Sequence, residues 1–215
     1  NGVSSSGKTT ISKKLQQEME EHYFWVANDT FCQMSSDKHW KEDWVEIINM
    51  ALTALIYTVK SMSDLGYNVI VDQVFLNNKE MGGILQKTIE VLHDYPVLFV
   101  RTDSSLEDLT RREKERGNRR IGQAESQLNI VHNHEYYDVT INTSENSIEE
   151  NIEIIIGSQI DNSILQQLST YNFDIIIDDG SHDNNHDNHD GSHDSSHDIS
   201  HDSHVDVDDT NNEDM

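Results

Sequence analysis

Cationic side chains stop early in this chain. All fifteen Lys and Arg lie between Lys8 and Arg120, and residues 157–215 hold fifteen Asp and Glu with no compensating cation. That segment carries −15 of the formal net charge of −25, which leaves −10 on residues 1–156. Nucleic-acid binding needs clustered cations against phosphate, so this balance argues against a nucleic-acid partner. There is a single cysteine, Cys32. It excludes an intramolecular disulfide and a zinc site built from several thiolates, and it makes the cytosol the default compartment. No stretch reads as long and apolar enough to cross a membrane, and no signal peptide is visible. Little precedes the first motif either: only Asn1 stands before Gly2, where a phosphate-binding loop needs a buried strand. The expectation is that the first strand of the domain is missing.

What is present begins at once. Residues 2–9 read Gly-Val-Ser-Ser-Ser-Gly-Lys-Thr, a complete G-x-x-x-x-G-K-[ST] phosphate loop. Gly2 and Gly7 permit the backbone dihedrals that turn successive N–H groups of Ser4, Ser5 and Ser6 toward one anion. Lys8 can reach the β- and γ-phosphates, and the Thr9 hydroxyl, followed by Thr10, can ligate Mg²⁺. Ile11, Leu15 and Met19 recur at helical spacing, so a helix should open at the loop and point its positive end at the phosphates.

Further along, strands and helices alternate. Tyr23–Asn28 suits a strand, Trp44–Leu65 a long helix, Asn68–Val74 a strand and Met81–Leu92 a helix. Val97–Arg101 suits a strand, Ser104–Arg116 a charged helix, Gln123–Asn133 a helix, Tyr137–Asn142 a strand and Ser147–Ile156 a closing helix. This order predicts an α/β fold, a P-loop NTPase-type three-layer sandwich with a parallel sheet and an acidic disordered tail. Ligands of such sheets bind at the carboxyl ends of the strands. The predicted division is a P-loop domain over 1–156, a short second segment over 157–182 and the tail over 183–215.

Two acids and a group of four arginines also carry chemistry. Asp29 follows the Tyr23–Asn28 strand; it could accept a proton from an acceptor hydroxyl, or serve as a helix N-cap or turn residue. Asp72 ends Val69-Ile70-Val71-Asp72, where a carboxylate beside a phosphate loop commonly holds the Mg²⁺ shell, or is a solvated strand-end acid. Arg112, Arg116, Arg119 and Arg120 flank Gly117-Asn118. They form either a phosphate-facing lid or a solvated helix with i, i+4 pairs.

These blocks together resemble the chloramphenicol phosphotransferase-like family of P-loop kinases over residues 1–143. The matching residues are Asn1-Gly2, Ser4-Ser5, Gly7-Lys8, Asp29, Val69-Ile70-Val71-Asp72 with Val74-Phe75-Leu76, Arg112-Glu113, Arg116-Gly117, Arg119 and Gly122, then Ser126-Gln127, Val131-His132 and Tyr137-Asp138. The resemblance implies ATP as phosphoryl donor, Mg²⁺ as cofactor and a hydroxylated small molecule as acceptor. It implies Asp29 as general base, Asp72 as metal-side carboxylate, and Arg112, Arg116 and Arg119 as phosphate-facing cations. Gln73 departs from the pattern, standing where the family often has a second Asp, which puts metal affinity in doubt. Asn118 likewise replaces a common Asp in the lid. The other readings to weigh are a nucleotide-binding module without transfer activity and an acidic metal-binding interaction protein.

A shorter stretch, Ile156-Gly-Ser-Gln with Asp161 and then Phe173-Asp-Ile-Ile-Ile-Asp-Asp-Gly-Ser-His182, is similar to part of a class I sugar O-methyltransferase, with Asp179 at a metal-ligand and His182 at a base position. No glycine-rich loop for S-adenosylmethionine precedes it, so a fused remnant, or a strand docking on the sheet, is the expectation. The repeated His-Asp pairs from His182-Asp183 to His201-Asp202 could chelate a divalent metal weakly.

Overall fold

The computed structural model describes residues 1–76, 81, 83–117, 120–134, 136–158 and 167–168. Their elements run α1 (Lys8–Glu18), β1 (Tyr23–Ala27), α2 (Asn28–Cys32), α3 (Asp37–Glu42), α4 (Trp44–Asp64), β2 (Asn68–Asp72), α5 (Ile84–Leu92), β3 (Val100–Asp103), α6 (Leu106–Arg116), α7 (Gln123–Val131), β4 (Val139–Asn142) and α8 (Ile148–Gly157). The predicted alternation of strands and helices is therefore present. The short helices α2 and α3 lie where no helix was expected; neither is long enough to show a 3.6-residue period.

Among the described residues the strands form two parallel pairs rather than one continuous sheet. β1 pairs with β2, with Ala27 opposite Asp72, and β3 pairs with β4, with Asp103 opposite Asn142. A parallel pair needs cover on both faces, and each pair receives it from helices. Leu55 and Val59 of α4 and Leu92 of α5 pack on Val26, Val69 and Val71 of β1 and β2. Ile11 of α1 and Ile152 and Ile155 of α8 pack on Ile141 and Val100. Val3 joins Leu109, Ala124 and Val131 beneath α6 and α7. Leu109 and Val131 are wholly buried, and each such side chain contributes about 1.5–3 kcal/mol.

Helix ends follow their local chemistry. Ser105 accepts from the Asp108 N–H at the start of α6, and Gly117 closes that helix with φ 65°. Ser147 and Glu150 form a capping box on α8.

One expectation needs correction. α4 is 21 residues long with a window of mean hydropathy 1.2, which reaches the length and apolarity of a membrane span. The reason is its packing duty: Ala51, Leu52, Leu55, Ile56 and Val59 form a buried stripe against β2 and α5. The 173–182 block of the methyltransferase-like stretch, including Asp179 and His182, and the whole tail over 183–215 lie outside the described residues.

Candidate phosphate-binding site

The loop over residues 2–9 is held from several directions. Gly2 lies against Thr102 and Ser6: a Cβ there would come within 2.6 Å of the Thr102 carbonyl oxygen and 2.8 Å of Ser6 Oγ. Only glycine fits that approach without a shift of backbone. Ser5 has φ 61° and Gly7 φ 93°, so the chain turns through the left-handed region twice in three residues. Gly7 is the residue before α1, and its carbonyl accepts the Ile11 N–H at 3.0 Å. The helix therefore begins at the loop, as its spacing predicted.

Side chains from the β3–β4 half fasten this backbone. Gln127 Oε1 accepts the Ser4 N–H at 2.7 Å. The Thr143 hydroxyl donates to the Ser6 carbonyl at 2.7 Å. Arg112 donates to the Ser5 carbonyl at 3.4 Å, to Ser104 Oγ at 3.1 Å, to Thr143 Oγ1 at 2.9 Å and to the Thr143 carbonyl at 2.9 Å. Arg112 is thus a brace behind the loop. Glu113, next along α6, is buried and accepts the N–H groups of Gly122 at 2.9 Å and Ala124 at 2.7 Å. It fixes the start of α7, and so the height at which Gln127 meets Ser4.

The β1–β2 half supplies carboxylates. Asp72 is buried, and the Thr9 hydroxyl donates to its Oδ2 at 2.6 Å. Two hard oxygen ligands, one from each side of the loop's open end, suit Mg²⁺, which takes one or two protein oxygens and completes its shell with phosphate and water. Asp29 is exposed in the first turn of α2, two residues beyond Ala27, which pairs with Asp72. Both acids therefore lie at the carboxyl ends of neighbouring strands. Lys8 is folded back, its Nζ donating to the Val3 carbonyl at 2.7 Å. Thr10 and Arg116 are exposed, Arg116 in the last turn of α6. Arg119 lies outside the described residues.

Asn1 was read only as part of a motif, yet it is a hub. Its amino group donates to the Val100 carbonyl, its carbonyl accepts the Thr102 N–H, and its side chain bonds the Phe75 N–H, the Val131 carbonyl and Tyr137 Oη. Tyr137 Oη in turn meets His132 Nδ1 at 2.7 Å and His134 Nε2 at 3.1 Å. Burial, with Arg101 nearby, pushes His132 down to about 4; burial, with the Asn1 amino group and Arg101 nearby, does the same to His134. His132 Nε2 lies 3.6 Å from Asp103 Oδ1, but a neutral ring makes no ion pair, and Arg101 already engages that carboxylate with two bonds. Burial also raises the Tyr137 hydroxyl. Gln127, Thr143, Glu113 and Asn1 escaped site prediction because their chemistry is ordinary; only the motif blocks around residues 1, 113 and 127 marked three of them.

Comparison with known proteins bears on fold and family. A sugar kinase from Janibacter sp. HTCC2649 is similar in structure at 21% identity and a TM-score of 0.51, over 76% of this chain and 94% of that one. A provisionally assigned kinase from Chloroflexus aurantiacus j-10-fl is similar at 17% identity and a TM-score of 0.50, over 71% of this chain and 89% of that one. At such identities the likeness speaks to fold. No curated protein matches the chain. The model of the family described as chloramphenicol phosphotransferase-like protein matches residues 1–159, most of the chain's 215. The chain belongs to the chloramphenicol phosphotransferase-like family, and its fold is that of kinase-type phosphotransferases.

Proposed function

We propose that this chain is an ATP-dependent phosphotransferase that moves the γ-phosphoryl group to a hydroxyl of a small molecule. The observation that carries the reading is the Thr9–Asp72 oxygen pair at the open end of a phosphate loop already braced at Ser4, Ser5 and Ser6. A loop held this way gives up little freedom on binding an anion, and its N–H groups and the α1 dipole act on the charge of the terminal phosphates.

In this scheme Lys8 leaves the Val3 carbonyl for the terminal phosphate oxygens. Asp29 orients the acceptor hydroxyl and takes its proton as the O–P bond forms and the bond to ADP breaks. Thr9 and Asp72 would hold Mg²⁺, whose charge, when bound, offsets that of the β- and γ-phosphates. Arg116 and Arg119 serve as the cations of the lid, while Arg112 keeps the loop in shape. The acceptor's identity is a property of a pocket that varies between members of one fold.

The test is ADP formation with Mg-ATP and a panel of hydroxylated acceptors, using the unaltered chain, Lys8→Ala and Asp29→Ala. Acceptor-dependent ADP formation lost in both variants supports the roles; turnover that survives both refutes them. A second reading, a nucleotide-binding module without transfer, is favoured by Gln73. Its amide is buried, and neither Nε2 nor Oε1 has a partner among the described residues, where a second carboxylate would bear on the metal. ATP binding without product for any acceptor selects that reading.

A further inference from the structure

The turn between β4 and α8 is organised by one side chain of the helix that follows it. Asn151 lies in α8 and is 1% exposed. Its Oδ1 accepts the Asn142 N–H at 3.2 Å and Asn146 Nδ2 at 3.3 Å. Its Nδ2 donates toward the carbonyls of Asn142 at 3.2 Å, Asn146 at 3.4 Å and Ser147 at 2.9 Å. A primary amide has two N–H groups, so the three carbonyls share them. The partners fix which way the amide points: reversed, it would set its oxygen against three carbonyls and its NH₂ against the Asn142 N–H. Asparagine is a poor helix former and costly to bury, and these bonds are what offset both penalties here.

The turn so held reaches the phosphate loop and the arginine-bearing helix. Asn142 Oδ1 accepts the Ser144 N–H at 2.9 Å, and the Asn142 carbonyl also accepts the Asn146 N–H at 3.1 Å. Two side chains leave this frame toward the site. Thr143 donates to the Ser6 carbonyl and accepts from Arg112. Its methyl group lies against Gly7, where a Cβ would come within 3.3 Å of it. Ser144 Oγ lies 2.8 Å from Ser104 Oγ and accepts at 2.8 Å the N–H of Ser105, the cap of α6. Among the described residues, every side-chain bond of Asn151 stays within residues 142–147. Any effect of Asn151 on the loop therefore passes through the turn.

We propose that Asn151 is a positioning residue for the terminal phosphates: it fixes the 142–147 turn, and through Thr143 it presets the backbone of Ser6 and Gly7 before the anion arrives. A loop held in its bound shape loses less freedom on binding, and the saving appears as affinity for the nucleotide. Asn151 itself touches neither nucleotide nor acceptor. The nucleotide part of this proposal rests on the phosphotransferase reading; the hold of the turn on the loop does not.

The experiment compares the full chain with Asn151→Asp, Thr143→Val and the double variant. Asn151→Asp keeps the shape and removes the donors; Thr143→Val keeps the shape and removes the hydroxyl. The Kd for Mg-ATP is measured at a temperature where circular dichroism shows each variant folded. Each single change should raise Kd by about 10-fold. The double variant should stay within about threefold of the worse single variant, rather than reach the roughly 100-fold of independent effects. If Asn151→Asp does not fold, Asn151→Ser, which keeps one donor, takes its place with the same non-additive pattern expected. A lowered Tm with unchanged Kd would make Asn151 merely structural and overturn the proposal, as would additive losses. Should the unaltered chain bind no Mg-ATP, the nucleotide reading fails, and the hold on the loop is read from amide exchange instead. Faster exchange at Ile11, which donates to the Gly7 carbonyl, with Leu55 of α4 unchanged, would uphold it in both single variants. Equal acceleration at Ile11 and Leu55, or none at Ile11, would overturn it.

Discussion

The β3–β4 half and the β1–β2 half of the domain contribute to one site in different ways. The first is polar where it meets the phosphate loop: Gln127, Thr143 and Arg112 place hydrogen bonds on three consecutive loop residues. The second meets the loop through Asp72, which accepts from Thr9, and through Val74 and Leu76, which pack in the cluster of Val3; it otherwise offers apolar strand faces with acids at their tips. The difference separates two tasks. One half braces the backbone of the loop, and the other carries Asp29 and Asp72 at its strand ends. Loss of function should then take two forms, according to which half is altered.

The largest effect is expected in the carboxylate half. Asp29→Asn should lower kcat by about 100- to 10,000-fold, the worth of a positioned general base, while the Kd for ATP changes little. Steady-state turnover beside equilibrium ATP binding checks this, and a parallel loss of both would dissolve the division. Next comes the cradle. Arg112→Ala leaves the Ser5 and Thr143 carbonyls and two hydroxyls without their donor and should cost about 2–4 kcal/mol of stability, with weakened ATP binding. Arg112→Lys should not restore it, because one ammonium cannot span the same acceptors. Denaturant midpoints and binding isotherms of the two variants provide the comparison. Glu113→Ala should cost about 1–3 kcal/mol through two orphaned N–H groups at the start of α7, and loosen the Gln127 contact with Ser4. Urea titration and amide exchange at Ser4 report these separately.

The smallest effect is on pH dependence. His132 and His134 are held near pKa 4 in the folded chain, against an ordinary 6.5. The unfolded chain therefore binds more protons between those values, and stability falls as pH drops from about 6.5 toward about 4. His132→Gln should flatten the lower part of that slope in a series of urea melts, and an unchanged slope would show that the ring is not buried neutral.

Much of this was legible in the sequence, for reasons that differ by element. The phosphate loop declares itself because only glycine tolerates the φ at Gly7 and the crowding at Gly2, and its chemistry is confined to eight consecutive residues. Asp72 was legible because an acid at the end of a β-branched run breaks the pattern. The helices α4 and α6 were legible from period and charge order. The start of α6 shifted by two residues and that of α8 by one, since Ser105 and Ser147 act as caps outside those helices. The contacts of Arg112 were not: a basic helix face looks the same in sequence whatever it meets, and Thr143, thirty-one residues away, is one of its partners.

The most direct test sets Asp29→Asn and Arg112→Ala side by side, with ATP affinity by calorimetry and phosphoryl transfer to a reactive acceptor measured on the same samples. The account predicts a split: Asp29→Asn binds ATP like the unaltered chain and fails to transfer, whereas Arg112→Ala loses affinity first. Equal losses of affinity and transfer in both variants would contradict it.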